Sequence, residues 1–217
     1  MLWKSWIALV AALLQPGKSA ASAVFQDPDT GLTFTSDFIL YKADGRGITY
    51  RIAIPDNAQN YVPYDAVVQL VVPNDVGWAG LAWGGSMPRN PLLVAWKNNN
   101  DVIISPRWAN GHVSPQPYSG SEYTIIKGGT KSNSTHWQVT ALCKGCTAWT
   151  VPDTGAQRWV LPGGSNRLAM AYSPNKPSNA ASPTSSISIH EVHSYWTHDF
   201  ARAKNPNFEA TVQRLIA

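Results

Sequence analysis

Two short stretches, far apart in the chain, carry side chains that could do chemistry together. Trp83-Gly84-Gly85-Ser86-Met87-Pro88-Arg89-Asn90-Pro91 presents one methionine from a turn with two glycines before it and two prolines after it. Ser188-Ile189-His190-Glu191-Val192-His193 presents one histidine, with a second three residues on. A methionine that fills a core needs no such turn. Glycines that bend the backbone and prolines that fix it push a side chain out of a loop instead. A thioether and an imidazole brought to one point are the two axial ligands of a low-spin haem iron.

The nitrogen candidates are the five histidines, at positions 112, 136, 190, 193 and 198. His136 alternates with Trp137 beside Asn133-Ser134-Thr135, which suggests a surface position. His193 and His198 follow His190 where an apolar run breaks into Ser194-Tyr195-Trp196. The run Ile187–Val192 reads as a strand, on which His190 and His193 would face opposite sides. Only one of them could then look into a shared pocket, and the spacing leaves either as the ligand.

The elements that must position these residues are almost all of period two. Ile48, Tyr50, Ile52 and Ile54 fall on one face of a strand, after an Asp44-Gly45-Arg46-Gly47 turn that returns from Phe38–Tyr41. Ala66–Val72 is a continuous apolar run, as expected for a strand buried on both faces. Leu92–Trp96 and Asp101–Ser105, joined by Lys97-Asn98-Asn99-Asn100, form a second hairpin. Tyr123–Ile126, Thr135–Leu142, Arg158–Leu161 and Leu168–Tyr172 complete the strands. Many short strands cut by Gly and Pro predict an all-β sandwich, a single domain. A short C-terminal helix is expected from Pro206 with Phe208, Val212 and Leu215 at helical spacing. Ser173–Ser186 has no periodicity and reads as a long exposed loop or a flap beside the site.

The N-terminus has the order of a secretory signal peptide. Lys4 precedes an apolar run from Trp6 to Leu14, and Ala21-Ser22-Ala23 offers a small-x-small cleavage site before Val24. The expected division is therefore a signal peptide over 1–23 and one domain over 24–217, in a secreted, extracellular protein. No other run is long and apolar enough to cross a membrane as a helix. The net charge of +4 is spread along the chain without a basic cluster, so no nucleic-acid partner is expected.

The two cysteines are Cys143 and Cys146. A c-type haem attachment would need a histidine after the second, where Thr147 stands. A zinc site would need two more ligands at suitable spacing. In an oxidising compartment a local disulfide is the expected state. Asn133 heads the one N-glycosylation sequon.

Ordered motifs along the chain resemble the cytochrome domain of fungal cellobiose dehydrogenases and related iron-reductase domains. They are Trp78-Ala79-Gly80-Leu81-Ala82-Trp83-Gly84-Gly85-Ser86-Met87, Leu92-Leu93-Val94-Ala95-Trp96, Arg107-Trp108-Ala109-Asn110-Gly111-His112, Asn133-Ser134-Thr135-His136-Trp137, Cys143-Lys144-Gly145-Cys146-Thr147, and Ile187-Ser188-Ile189-His190 leading to Asn205-Pro206-Asn207-Phe208. The resemblance implies an immunoglobulin-like antiparallel β-sandwich with one pocket for a single non-covalent haem b. Its axial ligands would fall on Met87 and His190, and His112 would stand near a propionate. Six-coordinate iron suits outer-sphere electron transfer, and no catalytic residue is expected beyond the carrier itself. A flavodehydrogenase or small reductant is the expected donor. A copper polysaccharide monooxygenase or ferric iron is the expected acceptor, and the chain is expected to act as a monomer.

Two features depart from that family. Ser194-Tyr195-Trp196 stands where relatives often show glycine, which keeps His193 open as a ligand. No Gly-x-Gly-x-x-Gly follows a strand, so sugar oxidation at a flavin is not assigned, and a stand-alone cytochrome is expected. The alternative is a haem-free β-sandwich that binds carbohydrate through exposed tryptophans. A copper monooxygenase would need a histidine at its mature N-terminus, and a serine hydrolase would need its nucleophile motif. Neither is present.

Overall fold

The structure is a computed structural model that describes residues 22–217. The expected signal peptide lies almost wholly outside the described residues. In chain order the strands are β1 (Ala23–Gln26), β2 (Thr33–Leu40), β3 (Gly47–Pro55), β4 (Ala66–Pro73), β5 (Trp78–Ala82), β6 (Leu92–Asn98), β7 (Asp101–Trp108), β8 (Gln116–Pro117), β9 (Glu122–Ile125), β10 (Lys131–Ser132), β11 (His136–Lys144), β12 (Ala148–Thr150), β13 (Gln157–Trp159), β14 (Ser165–Ser173), β15 (Val192–Asp199) and β16 (Lys204–Asn205). Among the described residues there is one α-helix, α1 (Phe208–Ile216), at the C-terminal end.

Two large sheets make the sandwich. The first runs β1-β2-β3-β4-β11-β10, with β9 also on β11 and the short β16 parallel to β3. The second runs β15-β14-β5-β6-β7-β8 and is antiparallel throughout. The all-β sandwich and the short C-terminal helix are as expected. Alternation explains the layers: Ile48, Tyr50, Ile52 and Ile54 of β3 meet Leu168, Met170 and Tyr172 of β14 in one core. Each such side chain contributes about 1.5–3 kcal/mol by leaving water. The helix buries Phe208 and Val212 against the back of the first sheet, on Phe34, Ala53, Val67 and Leu142.

Six strands, β1, β5, β8, β10, β12 and β16, lie outside those expected, and one expected strand moves. β5 is buried along its whole length, so its residues show no alternation from which a strand could be read. The strand expected at Ile187–Val192 begins only at Val192. Ile189 is 88% exposed. The segment 174–191 is a strap, not a strand, that crosses the outer face of the second sheet before entering β15.

One buried polar cluster ties the sheets together at the opposite end of β15. Asp37 of β2 is 4% exposed. It accepts hydrogen bonds from Ser22 Oγ (2.7 Å), Trp196 Nε1 (3.0 Å) and His198 Nδ1 (2.5 Å). The boundary expected at Val24 thus falls inside β1 and beyond a buried contact of Ser22.

Candidate functional site

The outer face of the second sheet has a floor of unusually small residues. Cross-strand pairing sets Tyr195, Ala169, Ala82, Leu92 and Arg107 in one row, and His193, Ala171, Gly80, Val94 and Ser105 in the next. The four central positions, Gly80, Ala82, Ala169 and Ala171, carry nothing beyond a Cβ. Larger side chains flank them on β15, β6 and β7.

Met87 stands at one end of this floor. It follows directly from β5, in a turn whose Gly85 has φ +74. A Cβ on Gly85 would lie 2.6 Å from Arg167 Cγ and 2.8 Å from the Arg167 carbonyl oxygen, so the turn sits flat on β14. Asn90 Nδ2 closes the loop by donating to the carbonyls of Ser86 (2.9 Å) and Pro88 (2.8 Å). Wholly buried Trp83 fixes the near end through Tyr123 Oη (3.0 Å), and Trp149 Nε1 holds the far end at the Arg89 carbonyl (3.1 Å). The disulfide joins Cys143 and Cys146, as expected, and Cys146 Sγ lies 3.2 Å from the same Tyr123 hydroxyl. The bridge therefore braces the partner of Trp83.

His190 stands at the other end, on the strap. Trp78 Nε1 donates to Ser188 Oγ (3.2 Å), the hydroxyls of Ser173 and Ser188 pair (2.8 Å), and Glu191 N donates to the Tyr172 carbonyl (2.8 Å). Because His190 precedes β15, it escapes the alternation expected of it. Its ring lies 4.9 Å from that of His193, so the two imidazoles are neighbours and not on opposite faces. Partial burial, with His193 and His112 adding, pushes the His190 imidazole below its usual pKa and favours the neutral form that binds metal.

The remaining candidates separate clearly. His112 is exposed, in the loop between β7 and β8, close enough for its charge to reach His190. His136 is exposed at the start of β11, as its spacing suggested. His198 is wholly buried on Asp37 and belongs to the core. Asn133 is exposed, and its side-chain oxygen accepts from the backbone nitrogens of Thr135 (2.9 Å) and His136 (2.8 Å). Among the described residues, no tryptophan is exposed and only Trp159 is half-buried, which gives the carbohydrate-binding alternative no support.

Sequence reasoning missed two rim residues. The Arg167 guanidinium lies 3.7 Å above the ring of Tyr195, which is 64% exposed beside the floor. This is a cross-strand contact between residues 28 apart in sequence, and neither type is distinctive alone.

The donor set, one thioether and one imidazole with a floor of small residues between the segments that carry them, would suit a metal whose other donors come from a macrocycle. A chelated ion would ask for more converging ligands. Among the described residues, no three of His, Cys, Asp and Glu cluster to hold one. Nor is any described helix long and apolar enough to cross a membrane.

Comparison with known proteins agrees with the fold. The cytochrome domain of pyranose dehydrogenase from Coprinopsis cinerea, a cytochrome b domain seen in a crystal structure, superposes with a TM-score of 0.75 at 28% identity, over 90% of this chain and 96% of that one. The cytochrome domain of Myriococcum thermophilum cellobiose dehydrogenase superposes with a TM-score of 0.80 at 25% identity, over 90% and 96% respectively. The pyrroloquinoline quinone-dependent pyranose dehydrogenase of Coprinopsis cinerea is 29% identical over 190 residues, which are 87% of this chain and 25% of that protein. The chain thus spans about a quarter of the curated relative it matches. The family profile for the cytochrome domain of cellobiose dehydrogenase matches residues 25–210, and the chain belongs to that family.

Proposed function

We propose that this cytochrome domain is a secreted single-electron relay that holds one non-covalent haem b between Met87 and His190. The observation that supports the reading is that the Met87 turn leaves β5 at the Ala82–Ala169 end of the floor, while the segment carrying His190 enters β15 at the Gly80–Ala171 end. When bound, the haem supplies a one-electron couple whose potential Met/His ligation raises. The chain's own residues supply the rest. The Met87 turn is seated on β14 through Gly85, which fixes the backbone that carries the thioether. The depressed basicity of His190 keeps its ring nitrogen free to bind. His112 offers a hydrogen bond to a propionate, and the His193 ring lies 4.9 Å from that of His190.

The donor in this reading is a dehydrogenase, flavin- or quinone-dependent. The acceptor is a copper polysaccharide monooxygenase or ferric iron. Secretion follows from the N-terminal sequence, with one change supported by the fold. In this reading the leader ends before Ser22 in place of Val24, which the burial of Ser22 against Asp37 supports. Ser19 and Ala21 provide small residues for a cut after Ala21.

The test is the absorbance spectrum of the haem-loaded protein and three variants. Met87→Ala and His190→Ala are expected to lose the six-coordinate low-spin spectrum, and His193→Ala to keep it. An unchanged spectrum in His190→Ala with a loss in His193→Ala would reassign the ligand.

A further inference from the structure

Arg107 stands out because nothing in the ligand reading uses it. It is 3% exposed on the outer face of β7, at the end of the row that contains the floor. A buried guanidinium normally faces a carboxylate, since an unpaired buried charge is costly. Among the described residues no Asp or Glu forms a salt bridge with it. All of its partners are neutral oxygens. Nε donates to Ser105 Oγ (2.5 Å), Nη1 to the Pro115 carbonyl (3.2 Å), and Nη2 to the carbonyls of Pro183 (3.1 Å) and Ser185 (2.6 Å). Ser105 Oγ in turn donates to the Pro183 carbonyl (2.5 Å).

These oxygens belong to two different segments. Pro115 lies three residues after His112, and Ser185 lies five residues before His190. We propose that Arg107 is a positioning residue that clamps the two histidine-bearing loops to each other and to the sheet, and so sets His190 over the floor. This rests on His190 being the haem ligand.

The alternative, general stability, fits the geometry less well. The strap 174–191 buries little of its own: Ala180 and Ile187 pack on Trp78, Val94 and Trp96, and most of its remaining residues are small and polar. Its attachment is therefore mainly by hydrogen bonds, from Trp96 Nε1 to the Ala180 carbonyl (2.8 Å), from Trp78, and from Arg107. Among the described residues, Arg107 alone has side-chain hydrogen bonds to both loops. A planar fork with five donors can span three carbonyls at once, which a lysine ammonium cannot.

Three forms, wild type, Arg107→Gln and Arg107→Lys, test the clamp by two readouts. The first is hydrogen exchange over 110–117 and 177–190 compared with β3 and β4. The second is the rate at which cyanide displaces a ligand from the ferric haem-loaded protein. Losing a hydrogen bond to a charged donor is worth about 1.5–3 kcal/mol, or roughly tenfold or more in a local opening constant. Arg107→Gln is therefore expected to speed exchange in both loops, and cyanide entry, by about tenfold or more, with β3 and β4 unchanged. Arg107→Lys should restore little of this. If Arg107→Gln does not fold, Ser105→Ala is expected to move the same readouts in the same direction by less. Unchanged loop exchange and cyanide rates in whichever variant folds would overturn the clamp, as would protection lost equally from β3 and β4. The His190→Ala spectrum stands apart from these readouts and decides whether the ligand assignment itself has failed.

Discussion

Replacing Gly85 by alanine tests how the methionine turn is held. Two separate costs arise. A Cβ at φ +74 places an L-residue in the left-handed region, at about 1–2 kcal/mol. The same Cβ would lie 2.8 Å from the Arg167 carbonyl oxygen, which is backbone and cannot swing aside. Overpacking of that kind costs typically about 1–3 kcal/mol. The sum, about 2–5 kcal/mol, is less than the total stability of most domains, so the variant should fold but melt lower by on the order of 10 °C. Gly31→Ala is the control. Gly31 has φ +73 and nothing within 4 Å of its would-be Cβ, so it pays only the first cost. The assay is a pair of melting curves on the haem-free proteins, followed by redox titration of the haem-loaded forms. Gly85→Ala should melt clearly below Gly31→Ala, and its potential should fall as the thioether is lifted from its place. If Gly85→Ala melts no lower than Gly31→Ala, or keeps the wild-type potential, the turn is not braced on β14 and the reasoning fails.

Other outcomes follow from buried polar groups. Asp37→Ala strands three donors, from Ser22, Trp196 and His198, and should cost about 3 kcal/mol or more in urea unfolding. Burial raises the Asp65 carboxyl above its usual range, with Glu209 adding and Lys144 opposing. A carboxyl whose pKa is raised by folding favours the fold when protonated, and penalises it as pH rises through the folded value. Asp65→Asn should therefore melt higher than wild type at pH near 7, and the gap should close as pH drops below about 3.9, the usual value for aspartate. N-terminal sequencing of the secreted protein should begin at Ser22. A start at Val24 would mean that the Ser22–Asp37 contact is dispensable.

What could be read from the sequence depended on which physical signal each residue carried. The alternation of Ile48, Tyr50, Ile52 and Ile54 gave β3 directly, because one of its faces is core and the other is not. Met87 was legible because Gly84, Gly85 and the two prolines mark an uncommon backbone around it. His190 was legible as a residue but not in its setting. Ile187 and Ile189 imitate a strand, yet Ile189 points to solvent, and the strap's attachments come from Trp78, Trp96 and Arg107, dozens of residues away. The floor was invisible for the opposite reason. Gly80, Ala82, Ala169 and Ala171 are ordinary small residues until strand pairing sets them side by side. Asp37 and His198 are 161 residues apart in the chain, and no periodicity joins them.

That distant pair has a consequence for the end of the sheet where the strap enters. Side chains on a strand alternate, so a slip of β15 by one residue against β14 would exchange its two faces. His193 and Tyr195 would turn into the core, and Trp196 and His198 would turn out. β15 has weak apolar patterning to prevent this, since Trp196 is its only large buried apolar residue. Asp37 supplies what the patterning lacks, because it can receive Trp196 and His198 together in only one register. The carboxylate thus acts as a reading-frame marker for the strand, and the alignment of the strap with the floor is set from the far end of the sheet.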